Sequence, residues 1–273
     1  MTVQEKTYES SDYRAWELEH EYGPKVHLLS EPYLLTQLAV LCSPDTVQPR
    51  VNDIIENCYR SLLVRVFNQE FPRLLRTMDT RMVQSTDRGR YHGLSIDPTT
   101  PVVTVNIARA GTFPSHIAFH MLNQFLDPSA VRQDHLVMDR TTDAEGQVTG
   151  AAIHGSKVGG PTKGRIVIVP DPMGATGSSL IQALEYYQKA VEGPPAKVIH
   201  VHLIVTPEYI RAIHEKFPDV EIYAIRVDRG MSPPDVLETK PGERWSEEVG
   251  LNDQQYIVPG GGGFGEILNN SWV

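Results

Sequence analysis

The sequence predicts an α/β fold, an open and mostly parallel twisted sheet flanked by helices. Three observations carry that expectation. Short Val/Ile-rich runs recur along the chain. Segments with helical apolar spacing separate most of them, the pattern of strands buried on both faces with crossover helices. The 273 residues suffice for one large domain, and 40% hydrophobic with 22% charged residues is ordinary for a folded protein.

Residues 1–24 are polar and charged, and read as a flexible N-terminal arm whose Trp16 and Tyr13 could dock on another surface. The remainder, 25–273, reads as one domain. From Pro32 the spacing of Leu34, Leu35, Leu38 and Leu41 predicts a helix, and Ile54, Ile55, Cys58, Leu62 and Val66 predict a second. Residues 102–108 form the first clear strand. A helix follows over 114–126, with Pro114 in its first turn, then a short strand at 135–138 and another at 165–170. After a Gly-containing turn come a helix at 177–190, a strand at 197–206, a helix at 208–216 and a strand at 220–227. Three segments break the rhythm. Residues 141–163 are polar and Gly-rich, and read as a mobile flap. Residues 232–253 are acidic and proline-marked, an insertion. Residues 255–273 form a Gly-rich C-terminal hood.

A net charge of −9 argues against a nucleic-acid partner, which would need a clustered excess of Lys and Arg. No apolar run is long enough to cross a membrane and no leader pattern opens the chain, so no membrane partner and a cytoplasmic location are expected. Cys42 and Cys58 make no CxxC or metal-like pattern and read as buried thiols within helices. His200 and His202, at period two on a strand, read as partly buried strand residues rather than ligands.

The informative segment is Ile166-VIVPDPMGATGSSL. A β-run ends at Pro170, Asp171 follows at the strand end, and Pro172, Met173, Gly174, Ala175, Thr176, Gly177, Ser178 and Ser179 lead into a helix. Open α/β sheets bind ligands at such carboxyl ends. The glycines allow a tight turn and close approach. Unpaired amides at the helix start favour an anion, and the hydroxyls add donors. With a carboxylate at the rim, the turn suits a phosphate monoester next to sugar hydroxyls. An ordinary strand–turn–helix capped by Thr176 is the competing reading. The absence of Gly-Lys-Ser/Thr excludes a P-loop.

Asp171-PMGATGSS resembles the DPMLATGGS signature of uracil phosphoribosyltransferases. Val26-HLLSEP resembles that family's opening strand and turn, and Val103-TVNIARAG its segment ending in LRAG. Thr206-PEYI resembles the start of its PEG helix, and Pro218-DVEIYAIRVDRGM the strand after it. Tyr256-IVPGGGGFGE resembles its YIVPGLGDAGD hood. The resemblance covers roughly residues 25–269. It implies a type I phosphoribosyltransferase fold and the transfer of ribose 5-phosphate from phosphoribosyl diphosphate to uracil, giving UMP and diphosphate. Asp171 through Ser179 would hold the ribose phosphate. Arg109 would clasp the diphosphate with free amides of Ala110 and Gly111, and Arg140 would do so from the next strand. Asp171, Arg109 and Arg140 are thus the expected catalytic residues. Ile257, Gly262, Gly263 and Phe264 would meet the base, largely through main-chain groups. Mg2+ would arrive through diphosphate and water, with no protein metal cage. A homodimer or higher homo-oligomer is the expected assembly, and regulation by GTP is left open.

The hood departs from the family pattern. Gly263 replaces its first aspartate, Glu266 stands where the second would be, and Phe264 replaces a small residue. The flap lacks the ETL…P…Y run, and only Lys157 keeps its basic end. Two other readings therefore stand beside uracil transfer: another base, or a non-catalytic sensor of phosphoribosyl diphosphate or a nucleotide.

Overall fold

The computed structural model describes residues 9, 13, 16–142 and 148–271, with side chains described outside 139–151. Four strands carry the architecture: β4 (Val102–Ala108), β7 (Ile166–Pro170), β9 (Lys197–Val205) and β10 (Glu221–Val227). They pair in parallel in the order β10-β9-β7-β4. β1 (Val26–Leu28) joins β10 in parallel at one edge. β5 (Val131–Thr142) joins β4 in parallel at the other, followed by antiparallel β6 (Val148–Lys157). Residues 102–107 of β4 and all of β7 are buried, as their Val/Ile-rich sequences require. Helices α1 (Pro32–Leu41), α2 (Arg50–Glu70) and α3 (Thr112–Leu122) pack on one face, and α4 (Ser178–Ala190) with α5 (Pro207–Lys216) on the other. The sheet is the α/β arrangement expected.

Several boundaries differ from expectation. β1, too short at three residues to show periodicity, stands where the family resemblance places an opening strand. The expected helix at 114–126 covers Thr112–Leu122. The strand expected at 135–138 runs over 12 residues. Half of the expected flap, Val148–Lys157, is an edge strand hydrogen-bonded to β5. A hairpin of β2 (Arg73–Asp79) and β3 (Arg90–Ile96) precedes β4, in a stretch where the sequence pattern predicts no strand. Seven registered pairs hold it, but β2 is largely exposed and carries little apolar alternation.

The segment at 16–24 is no loose arm. Tyr22 is buried and its hydroxyl donates to Glu248 at 2.6 Å, while Glu21 N–H donates to Pro241 O at 2.7 Å. Trp16 itself is exposed. The acidic insertion is the surface on which this segment docks. It contains a short helix, α6 (Pro234–Leu237), and Glu248 lies buried as an acceptor for Arg229 and for the Gly242 amide. Trp245 stands edge-on to Tyr22 and donates to Pro207 O at the start of α5. Cys58 is buried as expected; Cys42 caps α1 and is only half-buried.

At the amino-terminal end of the sheet, His27, Glu70 and Glu221 bring ligand-type atoms within 4.8 Å of one another. The carboxylates are already engaged. Lys197 and Tyr223 reach Glu70, and Lys25 is 2.5 Å from Glu221. Glu17 accepts from His27 at 3.0 Å. Burial opposes a charged His27, but Glu17 and Glu221 outweigh it and raise its pKa to about 9. A protonated imidazole then balances three carboxylates against two ammoniums. Because the folded pKa lies above the unfolded value near ~6.5, this stabilisation is complete below that pH and is lost as pH rises through about 9. Urea denaturation should therefore show stability falling between pH 6.5 and 9.5, and His27→Gln should flatten that slope.

Candidate active site

Strand order reverses between β4 and β7. The chain leaves β4 toward β5 on one side and leaves β7 toward β9 on the other. A crevice opens at the carboxyl ends of two such strands, and there the structure has a cavity of about 450 Å³. Its lining includes Arg109 and Ala110 after β4, Asp171 and Thr176 through Ser179 after β7, and Ile257, Gly262, Gly263 and Phe264 of the hood. Three segments more than 140 residues apart at their extremes thus meet in one place.

The phosphate turn is an interruption in a strand. β7 ends with Pro170 opposite Val201, and β8 (Met173–Gly174) resumes with Met173 opposite Ile204, so both keep one register along β9. Asp171 and Pro172 form the break, and both remain tied to β9: Asp171 N–H donates to Val201 O, and Pro172 O accepts from the Leu203 amide. The half-buried Asp171 carboxylate accepts the Met173 amide at 3.1 Å. Gly174 and Gly177 are required for different reasons. A Cβ on Gly174 would meet Val205 Cγ1 at 2.9 Å and the Tyr209 ring at 3.0 Å, whereas Gly177 has φ +82°. Gly177 gives α4 no side-chain cap. Ser178 N–H has only a long 3.4 Å approach to Thr176 Oγ1, and the first-turn amides lack intrahelical acceptors. That end of α4 is an anion seat.

A fully buried layer holds the turn from below. His202 Nδ1 lies 2.6 Å from Asp171 O, so that nitrogen carries the proton and donates. Nε2 then accepts from the Tyr209 hydroxyl at 2.6 Å, and the Tyr209 oxygen accepts from His200 Nδ1 at 2.7 Å. Burial lowers both imidazoles, His202 to about 4 despite its bond to Asp171 O. Both are neutral near pH 7. Expected as partly buried, they are fully enclosed, and they act as supports rather than ligands.

The other walls correct one expectation. Gly111 N–H donates to Ile107 O at 3.1 Å, so it is not free for an anion. Gly111 also has no room for a side chain, since a Cβ would meet Ile107 O at 2.6 Å. Phe264 borders the cavity but is buried in the apolar core, and its ring packs near Gly261. It anchors the hood. The Arg140 backbone lies in β5, and its side chain is outside the described residues. Lys157, on β6, is exposed and does not line the cavity.

Sequence reasoning missed the clamp that shapes the hood. Asp228, buried at the end of β10, accepts the Gly260 amide at 2.8 Å and pairs with Arg226 at 2.5 Å. Gly250 N–H donates to Glu208 at 2.9 Å, and Val258 N–H to Gly250 O at 2.8 Å. Arg226 and Asp228 two residues apart at the end of a buried strand were the available signal. Tyr256, about half exposed, adds an aromatic side chain at the rim.

The fold and crevice define the class, an α/β protein of the type I phosphoribosyltransferase fold. The uracil phosphoribosyltransferase family matches residues 28–242. The uracil phosphoribosyltransferase of Pyrococcus furiosus is 28% identical over 86% of this chain and 85% of its own. That of Pyrobaculum arsenaticum is 30% identical over 76% and 85%. The solved structure of the AQ2163 protein from Aquifex aeolicus superposes with a TM-score of 0.67 at 24% identity, covering 91% of this chain and 99% of that one. The chain belongs to the uracil phosphoribosyltransferase family, a family of pentosyltransferases.

The buried layer yields a direct test. Tyr209→Phe keeps the ring against Gly174 but leaves two buried imidazole nitrogens without a partner. Stability should fall by about 1–3 kcal/mol, read as a lower urea midpoint with an unchanged slope.

Proposed function

We propose that this protein transfers the ribose 5-phosphate of phosphoribosyl diphosphate to uracil, giving UMP and diphosphate. The observation that carries the reading is convergence. An anion seat, a strand-end arginine and a main-chain hood line one cavity. The amides opening α4, with Thr176, Ser178 and Ser179, receive the 5-phosphate. Asp171 accepts from ribose hydroxyls and faces the positive charge that grows on the sugar as the bond to diphosphate breaks. Arg109 and the Ala110 amide receive the leaving diphosphate, and Arg140 is proposed to join them. The hood backbone at Ile257, Gly262 and Gly263 reads the N3–H and O4 pattern of uracil, with Tyr256 beside it.

The residues fit a divalent cation carried by diphosphate and water. Asp171 and Glu266 line the same cavity from strand end and hood, and no His or Cys ligand set stands among its lining residues. Such an ion, Mg2+ in the proposed reaction, would offset the leaving group's charge, and the two carboxylates would hold its water. The Gly263 substitution favours a second reading, transfer to another base, because one hood acid of the family pattern is absent there.

A homo-oligomer is also proposed. The β2–β3 hairpin forms its own two-stranded sheet, and such a hairpin is marginal alone. Leu75 and Met78 are exposed on its two opposite faces and Met82 lies nearby, apolar side chains that a second copy of this chain would cover. Sedimentation equilibrium should give a dimer or larger species, and Leu75→Asp with Met78→Asp should shift it toward monomer.

A screen of labelled bases with phosphoribosyl diphosphate and magnesium tests the activity, with uracil expected to give the highest kcat/KM. Asp171→Asn should lower that value by about 2–4 kcal/mol of transition-state stabilisation while the unfolding midpoint stays near the parent's. A preferred purine would exclude uracil as the substrate. Tight nucleotide binding without turnover of any base would favour a sensor.

A further inference from the structure

One ion pair joins the two walls of the cavity. The Arg109 guanidinium, on the loop after β4, lies 3.0 Å from Glu266 Oε1 on α7 (Phe264–Ile267). The chain beside the pair is glycine on both sides of Phe264. A Cβ on Gly263 would lie 2.0 Å from Glu266 Oε2, and one on Gly265 would lie 3.0 Å from Arg109 Nη2. Neither glycine has a left-handed φ. Space, not backbone conformation, therefore accounts for both, and the space is filled by the two charged groups. The hood has an acid at 266 and the room for it to turn inward.

This pair differs from the chain's buried ones. Arg226–Asp228 and Arg229–Glu248 hold carboxylates that are 2% and 0% exposed, whereas the Arg109 and Glu266 side chains are 48% and 23% exposed. Water screens such a contact, and it holds weakly. A monoanion gains little by replacing Glu266, because it substitutes one single charge for another. A polyanion gains more, and it also meets the Ala110 backbone beside Arg109.

We propose that Glu266 is a built-in competitor for the diphosphate, a specificity-determining residue that holds Arg109 until a polyanion displaces it. The inference rests on the reading that Arg109 receives diphosphate. Once displaced, Glu266 is left beside anionic oxygens, and that repulsion is relieved when a divalent cation lies between them. Glu266 therefore opposes the bare anion and tolerates its cation complex.

Calorimetric titration with inorganic diphosphate tests this in the full-length protein. Without divalent cation, in EDTA, Glu266→Gln should bind diphosphate about three- to five-fold more tightly than the parent, the release of one exposed ion pair. With magnesium present the gain should vanish or reverse. Gly263→Ala, which places a methyl group where the Glu266 carboxylate lies, should reproduce the metal-free gain while leaving residue 266 intact. Arg109→Gln is the reference, and it should weaken diphosphate binding. Binding that depends on Arg109 but is unchanged by Glu266→Gln and Gly263→Ala in EDTA would overturn the competitor alone. Binding indifferent to Arg109→Gln would overturn the assignment of the diphosphate to this wall, and the competitor with it. A Glu266→Gln gain of the same size with and without magnesium would also count against it, since the cation would then have no part.

Discussion

Parallel strands running side by side all end at the same edge of the sheet, and their connections must leave that edge toward one face or the other. Where two neighbours send their chains in opposite directions, nothing covers the gap between them. β4 and β7 are that pair. Everything around the cavity follows from the gap: the Arg109 loop closes one lip, the Asp171 turn closes the other, and the hood approaches over the top. The turn is rigid because it never leaves β9. β8 takes up the register that β7 leaves, so the strand is broken only at Asp171 and Pro172, and both stay bonded to β9.

Rigidity under a Gly-rich site has to come from somewhere other than side-chain packing at the site itself. In this chain it comes from polar groups buried in pairs. His202 holds the Asp171 carbonyl, Asp228 holds the Gly260 amide, and Glu208 holds the Gly250 amide. Each is a side chain fixing backbone, which leaves the ligand side of the loop open. The neutral state of the two histidines matters here. Protonation of His202 would cost it the acceptor that receives Tyr209, and burial keeps that from happening near pH 7.

The overall negative charge is compatible with an anion site because the arginines are unequally committed. Arg132, Arg226 and Arg229 each face a buried carboxylate, Asp134, Asp228 and Glu248. Such pairs stay closed because separating them would strand a buried charge. Arg109 meets its partner in water at the cavity mouth, so it can exchange it. The acidic insertion, far from being a solvated tail, spends Glu248 on Arg229 and Tyr22 and ties the N-terminal segment to α5 and the hood.

Most of the sheet and the phosphate turn were legible in the sequence, because a strand buried on both faces needs a continuous Val/Ile run and the turn needs glycine at fixed places. Ile166–Pro170 and the Asp171–Ser179 turn are local solutions to local constraints, and the resemblance to the family added Arg109 and the hood. Other features depended on partners distant in sequence. β1 is too short for periodicity; only the family resemblance pointed to it, and pairing with residues near position 222 forms it. The β2–β3 hairpin has little apolar alternation, so nothing in its own pattern announced it. The Gly111 amide is engaged by the turn back to Ile107, and Phe264, which borders the cavity, also packs into the core; neither contact is marked in the sequence pattern. The inward turn of Glu266 was undecidable from spacing alone, since a one-turn helix such as α7 has no period of its own. Tertiary structure decided it, by setting Arg109 opposite and leaving glycine space at 263 and 265 for the pair to meet.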